Sequence, residues 1–171
     1  MDIPAEGIYK VTGDNESMGV ASANYIVEKI GTTGTVVALP VPTSGSVSEL
    51  RMKGFTDTMA EIAPDVEIIE YATAFTREDG LKDMADILTA NPQIDAVYSL
   101  DDETSIGALQ AIEDAGRTDI KAITGGGGCQ GVLQHHQGKG RRDPCLLRAL
   151  QPPDDQGLPR RGPQRARRRD R

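Results

Sequence analysis

Residues 98–107 read YSLDDETSIG and mark the change from a predicted β-strand to a predicted α-helix. The residues just before, 94–98, are mostly apolar and β-favouring, which predicts a short strand. After the acidic residues, alanine, leucine and isoleucine recur at helical spacing up to Ala115. A strand that ends in acidic residues and turns directly into a helix is typical of an α/β protein. In such proteins, ligands bind at the carboxyl ends of the strands.

Two consecutive carboxylates, Asp101 and Asp102, lie at this turn. One of them can cap the helix and complement its dipole, a role that needs no ligand. A single cap leaves the other carboxylate without a local structural role. We therefore expect Asp101 or Asp102 to contribute to a ligand site, and helix capping is the alternative role for either of them.

The strand-then-helix pattern recurs along residues 1–130. Strands are predicted at residues 8–12, 35–39, 66–71, 94–98 and 120–123, and helices at 16–30, 47–62, 77–90 and up to 115. The apolar residues that we expect on the inward helix faces are Val20, Ala23, Ile26, Val27, Ile30, Leu50, Phe55, Met59, Ile62, Leu81, Met84, Ala85 and Leu88. Repeated β-α units with short loops predict a parallel sheet with helices on both faces.

The loops that follow parallel strands gather at one edge of a sheet. Here they are residues 40–46, 72–76, 100–103 and 124–130, and they contain hydroxyls, carboxylates, a glycine run and one phenylalanine, Phe75. Carboxylates and amides form hydrogen bonds with hydroxyl groups, and an aromatic ring covers C–H groups. The loop composition therefore favours a site for a small molecule that is rich in hydroxyls.

Charge is divided unevenly along the chain. Residues 1–130 carry 8 Lys and Arg against 22 Asp and Glu, whereas residues 131–171 carry 11 against 4. In the second segment the apolar periodicity stops and Arg and Pro clusters appear, which predicts a disordered basic tail after the α/β domain. A tail of this kind is able to bind nucleic acid.

Out-of-frame translation is a second explanation of this tail. Residues 132–137 read VLQHHQ, and a one-base shift of codons allowed for them encodes Tyr-Phe-Asn-Thr-Ile-Lys, an ordinary amphipathic sequence. Arg, Pro and Gly are also enriched when a GC-rich gene is translated out of frame. We favour the frameshift, and we expect no nucleic-acid partner.

Other classes of protein lack support in the sequence. No apolar run approaches membrane-spanning length, and the N-terminus has neither the basic nor the apolar segment of a secretion signal. The two cysteines, Cys129 and Cys145, give neither a disulfide framework nor a zinc spacing. A nucleophile elbow and a dinucleotide-binding loop are both missing, so we expect no catalysis, no cofactor and no metal site.

Four segments, taken in order, resemble the substrate-binding proteins of sugar ABC transporters of the ribose- and galactose-binding type. They are residues 12–15 (TGDN) followed by Gly19, residues 48–55 (SELRMKGF), residues 91–98 (NPQIDAVY) and residues 101–109 (DDETSIGAL). The resemblance implies that residues 9–130 form most of the second of two α/β lobes, with the ligand held in the cleft between them. It also implies a sugar or polyol ligand, an ABC permease as partner, and a periplasmic or extracellular location.

The resemblance also assigns ligand contacts to individual positions. Phe75 lies where this family often stacks an aromatic ring on the sugar, and Asp101 lies where an amide or carboxylate binds sugar hydroxyls. Arg51 lies close to a ligand-binding arginine. Gly126 stands where many members have a ligand-binding aspartate, and Gln130 can replace that contact. Core packing is the alternative role for Phe75, and a surface ion pair is the alternative for Arg51.

The ligand-binding domain of a sugar-responsive transcriptional regulator is the alternative function, because such regulators share this architecture. That function requires a helix-turn-helix segment upstream, and none is visible in the sequence. Fold analogy alone does not decide between the two. We interpret the chain as a truncated or frameshifted fragment of a solute-binding protein, and we expect that a first lobe and a signal peptide are encoded upstream.

Overall fold

A computed structural model describes residues 13–126 of the chain. In this part, four helices alternate with four strands. They are α1 (Asn15–Ile30), β1 (Thr33–Leu39), α2 (Ser46–Ile62), β2 (Asp65–Glu70), α3 (Arg77–Ala90), β3 (Ala96–Ser99), α4 (Asp102–Asp114) and β4 (Ala122–Ile123). A short 3-10 turn at Pro42–Ser44 lies between β1 and α2. The observed ends of the helices and strands lie within two residues of most predicted ends. The predicted alternation of strands and helices is confirmed.

The four strands form one parallel sheet in the order β2-β1-β3-β4. Strand β1 lies inside the sheet, and its side chains alternate between two apolar cores. Val36 and Ala38 pack in the core under α1 and α2, whereas Val37 and Leu39 pack in the core under α3 and α4. A continuous apolar run is what a strand that is buried on both faces requires. The predicted parallel sheet with helices on both faces is therefore confirmed.

Each face carries a pair of helices that touch at glycine residues. A Cβ atom on Gly54 of α2 would lie 2.1 Å from the carbonyl oxygen of Glu16 in α1. A Cβ atom on Gly107 of α4 would lie 2.1 Å from the carbonyl oxygen of Arg77 in α3. Backbone therefore packs directly on backbone in both pairs. These contacts bring the first turns of α1 and α3 against their partner helices, close to the carboxyl ends of the strands.

The prediction of inward-facing helical residues is confirmed for Ala23, Ile26, Phe55, Met59, Met84 and Leu88, which are buried, and is wrong for four others. Val20, Leu50 and Leu81 are 37%, 40% and 36% exposed, and Ala85 is exposed as well. Val20 and Leu81 directly follow Gly19 and Gly80, both of which are buried at the helix contacts. One residue along a helix is a rotation of about 100°. A glycine that faces the partner helix therefore turns the next side chain toward the surface.

Several predicted features lie outside the described residues. These are the strand at residues 8–12, Gln130, both cysteines and the basic tail at residues 131–171. Within residues 13–126, none of the helices combines the length and the hydropathy needed to cross a bilayer.

Candidate ligand-binding site

The described loops at the carboxyl ends of the strands lie side by side, as predicted for a parallel sheet. The backbone N–H of Thr73, after β2, donates to the carbonyl of Pro40, after β1, at 2.9 Å. The backbone N–H of Thr124, after β4, donates to the carbonyl of Val97 in β3 at 3.0 Å. The candidate site lies along this edge.

Asp101 follows β3 and is the N-cap of α4. Its Oδ1 accepts a hydrogen bond from the backbone N–H of Thr104 at 2.9 Å. Its Oδ2 is buried and has no hydrogen-bond partner among residues 13–126. An unpartnered buried carboxylate oxygen is costly, so such atoms are rare in folded proteins. Asp101 therefore has the capping role, and its second carboxylate oxygen is left without a partner in this part of the chain.

Asp102 is the first residue of α4, and its Oδ1 accepts a hydrogen bond from the backbone N–H of Gly126 at 3.0 Å. The negative charge at this end of the helix is also favourable for the helix dipole. This bond ties the loop after β4 to the start of α4. Capping thus belongs to Asp101, and Asp102 joins two loops of the candidate site.

Arg51 in α2 is half-buried and reaches across to the end of β3. Its Nε donates to Oδ1 of Asn15 at 2.9 Å, and its Nη1 donates to the carbonyl of Leu100. Arg51 forms no ion pair with any acid in the described part of the chain. The alternative of a surface ion pair, with Glu49 or another acid, is therefore not observed within residues 13–126. A guanidinium carries five N–H donors, and these two bonds orient the group while using only two of them.

Tyr98 in β3 contacts the backbone of α2 at Arg51. Its hydroxyl donates to the carbonyl of Arg51 at 3.0 Å, and its ring stacks on Phe55 with centroids 3.9 Å apart. Burial raises the pKa of the Tyr98 hydroxyl above its ordinary value, so this group stays protonated and remains a donor. The contact links β3 to the turn of α2 that carries Arg51.

Gly126 lies where the carboxyl ends of β3 and β4 meet. A Cβ atom at this position would lie 2.6 Å from the carbonyl oxygen of Leu100 and 2.7 Å from Cα of Asp101. It would also lie 3.2 Å from Nη1 of Arg51. Any side chain here would collide with backbone, and its absence leaves room for the guanidinium of Arg51 and the backbone of Asp101 to lie close to this residue.

Phe75 lies in the loop between β2 and α3 and is 41% exposed. The alternative that it packs in the core is therefore wrong. Its loop is joined to the start of α4 by Thr104, whose Oγ1 donates to the carbonyl of Ala74 at 2.9 Å. Because the N–H of Thr104 also binds Asp101, this one residue connects the loop of Phe75 with the cap of α4.

These side chains supply a carboxylate acceptor, a guanidinium donor and an exposed aromatic ring at one edge of a sheet. Within residues 13–126, no group of three or more His, Cys, Asp or Glu side chains is placed to hold a metal ion. The chemistry on offer is hydrogen bonding and stacking. It suits reversible binding of a small polar molecule.

The profile of the periplasmic binding protein domain family matches residues 2–137 of the chain. The chain belongs to this family. Among curated relatives, the ribose import binding protein of Escherichia coli K12 is 30% identical over 134 residues, which are 78% of this chain and 45% of that protein. This periplasmic binding protein domain therefore spans less than half of the length of that relative.

Solved structures show the same fold. One is an ABC transporter periplasmic solute-binding protein from Actinobacillus succinogenes with bound D-allose, at 31% identity and a TM-score of 0.66 over 73% of this chain and 45% of that one. Another is the fructose-binding periplasmic domain of a hybrid two-component system, at 28% identity and a TM-score of 0.66 over 74% of this chain and 44% of that one. The expected family resemblance and fold are confirmed.

Sequence reasoning missed two residues of this periplasmic binding protein domain. Thr104 stands three positions after Asp101, the spacing at which a helix cap binds a backbone N–H, so the capping pattern was a usable signal. Asn15 binds Arg51 across 36 residues of sequence. No local pattern indicates such a contact, because it depends on the way α1 packs against α2.

Proposed function

We propose that residues 13–126 form one lobe of the sugar-binding component of an ABC importer. The complete protein captures a small polyhydroxylated ligand between two lobes and delivers it to a permease, without catalysis. The observation that carries this proposal is the placement of Asp101 and Arg51. The guanidinium of Arg51 and the backbone of Asp101, whose Oδ2 has no partner among the described residues, both border Gly126 at the carboxyl edge of the sheet.

A sugar hydroxyl is both a donor and an acceptor, and it can donate to Asp101 while a neighbouring hydroxyl accepts from Arg51. Both hydrogen bonds involve a charged group, which makes them stronger than neutral ones. Phe75 is exposed at the same edge and offers a ring face to the C–H groups of a sugar. We further propose Asp102 and Gln130 as contacts, Gln130 from the segment after the described residues.

The relatives support the class of ligand. One is a ribose import protein, one was solved with D-allose and one binds fructose. A periplasmic or extracellular location for the complete protein is part of the proposal. The fructose-binding domain of the hybrid two-component system supports sensing, but none of the residues at the described site favours regulation over transport.

We also propose that the α/β domain ends near residue 130 and that residues 131–171 are translated out of frame. The change in charge and composition at this boundary supports the proposal. Resequencing the locus tests it: we expect coding sequence for the rest of the lobe in the shifted frame, and for a first lobe and signal peptide upstream. A shifted frame that is interrupted by stop codons would contradict it.

An NMR titration of the chain with D-ribose, D-allose, D-fructose and xylitol tests ligand binding, because it detects even the weak binding expected of a single lobe. We expect at least one of these compounds to shift the backbone amide signals of Asp101, Thr104 and Gly126, and L-leucine to shift none. The proposal fails if no sugar or polyol shifts these signals, or if L-leucine shifts them equally.

A further inference from the structure

Three buried hydroxyl groups lie directly beneath Asp101. They belong to Ser99 at the end of β3, Ser105 in α4 and Thr124 after β4, which are 1%, 0% and 0% exposed. A hydroxyl group that leaves water must find hydrogen-bond partners in the protein. The partners of these three groups, which we call the hydroxyl clamp, are backbone atoms at the candidate site.

Two members of the hydroxyl clamp donate to the same acceptor, the backbone carbonyl of Asp101. The Oγ of Ser99 does so at 3.2 Å, and the Oγ of Ser105 does so from the second turn of α4. The Oγ of Ser105 is also 2.8 Å from the carbonyl of Thr124, so its single proton is shared between two strand ends. The turn that carries Asp101 is thereby joined to the end of β4.

The third member continues the pairing of β3 with β4 beyond the last residues of the ladder. The Oγ1 of Thr124 accepts from the N–H of Ser99 at 3.2 Å and lies 3.2 Å from the carbonyl of Ser99, to which it donates. The side chain of Thr124 thus forms the two bonds to Ser99 that a further backbone pair of the ladder would form. It leaves the chain after Thr124 free to turn toward Gly126.

We propose that the hydroxyl clamp positions Asp101 for ligand capture and that Ser105 is its principal positioning residue. This inference rests on the proposed function. The hydrogen bond from Thr104 restrains Oδ1 alone, whereas the hydroxyl clamp restrains the backbone of Asp101. With the backbone and one carboxylate oxygen both held, the direction of Oδ2 is fixed before a ligand arrives, and preorganisation of this kind raises affinity.

The test compares Ser105→Ala with Ser22→Ala in the 171-residue chain. Ser22 in α1 is a matched control, because it is 2% exposed and its Oγ donates to the carbonyl of Met18 at 3.0 Å within its own helix. Each variant removes one buried hydroxyl group. Amide hydrogen exchange at Thr104, whose N–H binds Asp101, reports the local order of the cap. NMR titration with D-ribose, D-allose and D-fructose reports affinity.

We expect Ser105→Ala to speed exchange at Thr104 by about tenfold relative to amides of α1 and α2, and to weaken sugar binding by a similar factor. Ser22→Ala should leave both unchanged. Ser99→Ala removes only one of the two hydroxyls on the Asp101 carbonyl and serves as a milder second variant if Ser105→Ala does not fold. Equal effects of the Ser99 or Ser105 variant and the Ser22 variant would overturn the positioning role.

Asp101→Ala separates this inference from the proposed function. If Asp101→Ala abolishes sugar binding but Ser105→Ala and Ser99→Ala change neither affinity nor exchange at Thr104, the positioning role is wrong and the proposed function stands. If Asp101→Ala leaves sugar binding unchanged, the proposed site is wrong. The positioning role of Ser105 is then wrong as well, because it acts through Asp101.

Discussion

The guanidinium of Arg51 donates a hydrogen bond to the backbone carbonyl of Leu100, the residue that directly precedes Asp101. The two bonded residues are 49 positions apart in the sequence and belong to α2 and to the turn after β3. This contact places a cation beside the turn that carries Asp101, and Arg51 forms no ion pair with an acid in the described part of the chain. The bonds to Asn15 and Leu100 use two of the five N–H donors of Arg51, and Oδ2 of Asp101 has no partner among residues 13–126.

Asp101→Ala should weaken sugar binding by about tenfold or more, because each charge-assisted hydrogen bond contributes about 1.5–3 kcal/mol. It should also lower the free energy of unfolding by about 1 kcal/mol through loss of the helix cap. Asp101→Asn is the matched control for stability, since an amide oxygen still accepts from Thr104. We expect Asn to keep the stability but not the full affinity, as measured by calorimetry and urea denaturation. Full sugar affinity in both Asp101 variants would contradict a role for Asp101 in ligand binding.

Phe75→Ala should weaken sugar binding by about tenfold and change the free energy of unfolding by less than about 0.5 kcal/mol, because the ring is mostly outside the core. Leu81→Ala is a suitable control, since Leu81 is 36% exposed and Phe75 is 41% exposed. That variant should bind normally. Affinity is measured by calorimetry in the proposed complete protein with both lobes. A large loss of stability in Phe75→Ala with unchanged affinity would indicate a packing role instead.

Gly54→Ala should lower the free energy of unfolding by about 1–3 kcal/mol or more, because its methyl group would lie against the backbone of α1 rather than against a movable side chain. The new Cβ atom would be 2.1 Å from the carbonyl oxygen of Glu16. Gly13→Ala is the control, because nothing lies within 4 Å of a Cβ atom there. Urea denaturation measures the free energy of unfolding of both variants. Equal values for the two variants would contradict the close backbone contact between α1 and α2.

Protonation of Asp119 should destabilise the fold in acid. Arg117 binds both carboxylate oxygens of Asp119, at 2.7 and 2.6 Å, and the N–H of Ile94 binds one of them at 3.0 Å. The hydrogen bonds from Arg117, opposed in part by burial, lower the pKa of Asp119 to about 2. Because the folded pKa lies below the unfolded value of about 3.9, the stabilisation is complete above about pH 4 and is lost as the pH falls toward 2.

Asp119→Asn should therefore lower the free energy of unfolding at neutral pH by roughly 1–2 kcal/mol and flatten its dependence on pH between about 4 and 2. Asp86→Asn, at an exposed position of α3, should leave the profile of the parent chain unchanged. Urea denaturation across this range of pH measures both variants. A profile for Asp119→Asn that is as steep as that of the parent would contradict the role of the pair.

The alternation of strands and helices was predictable because it is a local property. The apolar run at Val36–Leu39 predicts a strand buried on both faces, and the structure buries it in that way. Asn91-Pro92 predicts the end of α3, which ends at Ala90. The inward face of each helix was less predictable, since Gly19 and Gly80 set the rotation of α1 and α3 through contacts with a partner helix.

By itself, the sequence determined that this chain is a parallel α/β domain with Asp101, Asp102 and Phe75 at the ends of its strands. Local propensity and hydrophobic periodicity suffice for that conclusion. Only the tertiary structure decided which carboxylate oxygen stays without a partner, where Arg51 points and why residue 126 has no side chain. Those outcomes depend on helix crossing and strand register, which join residues far apart in the chain and leave no trace in any local pattern.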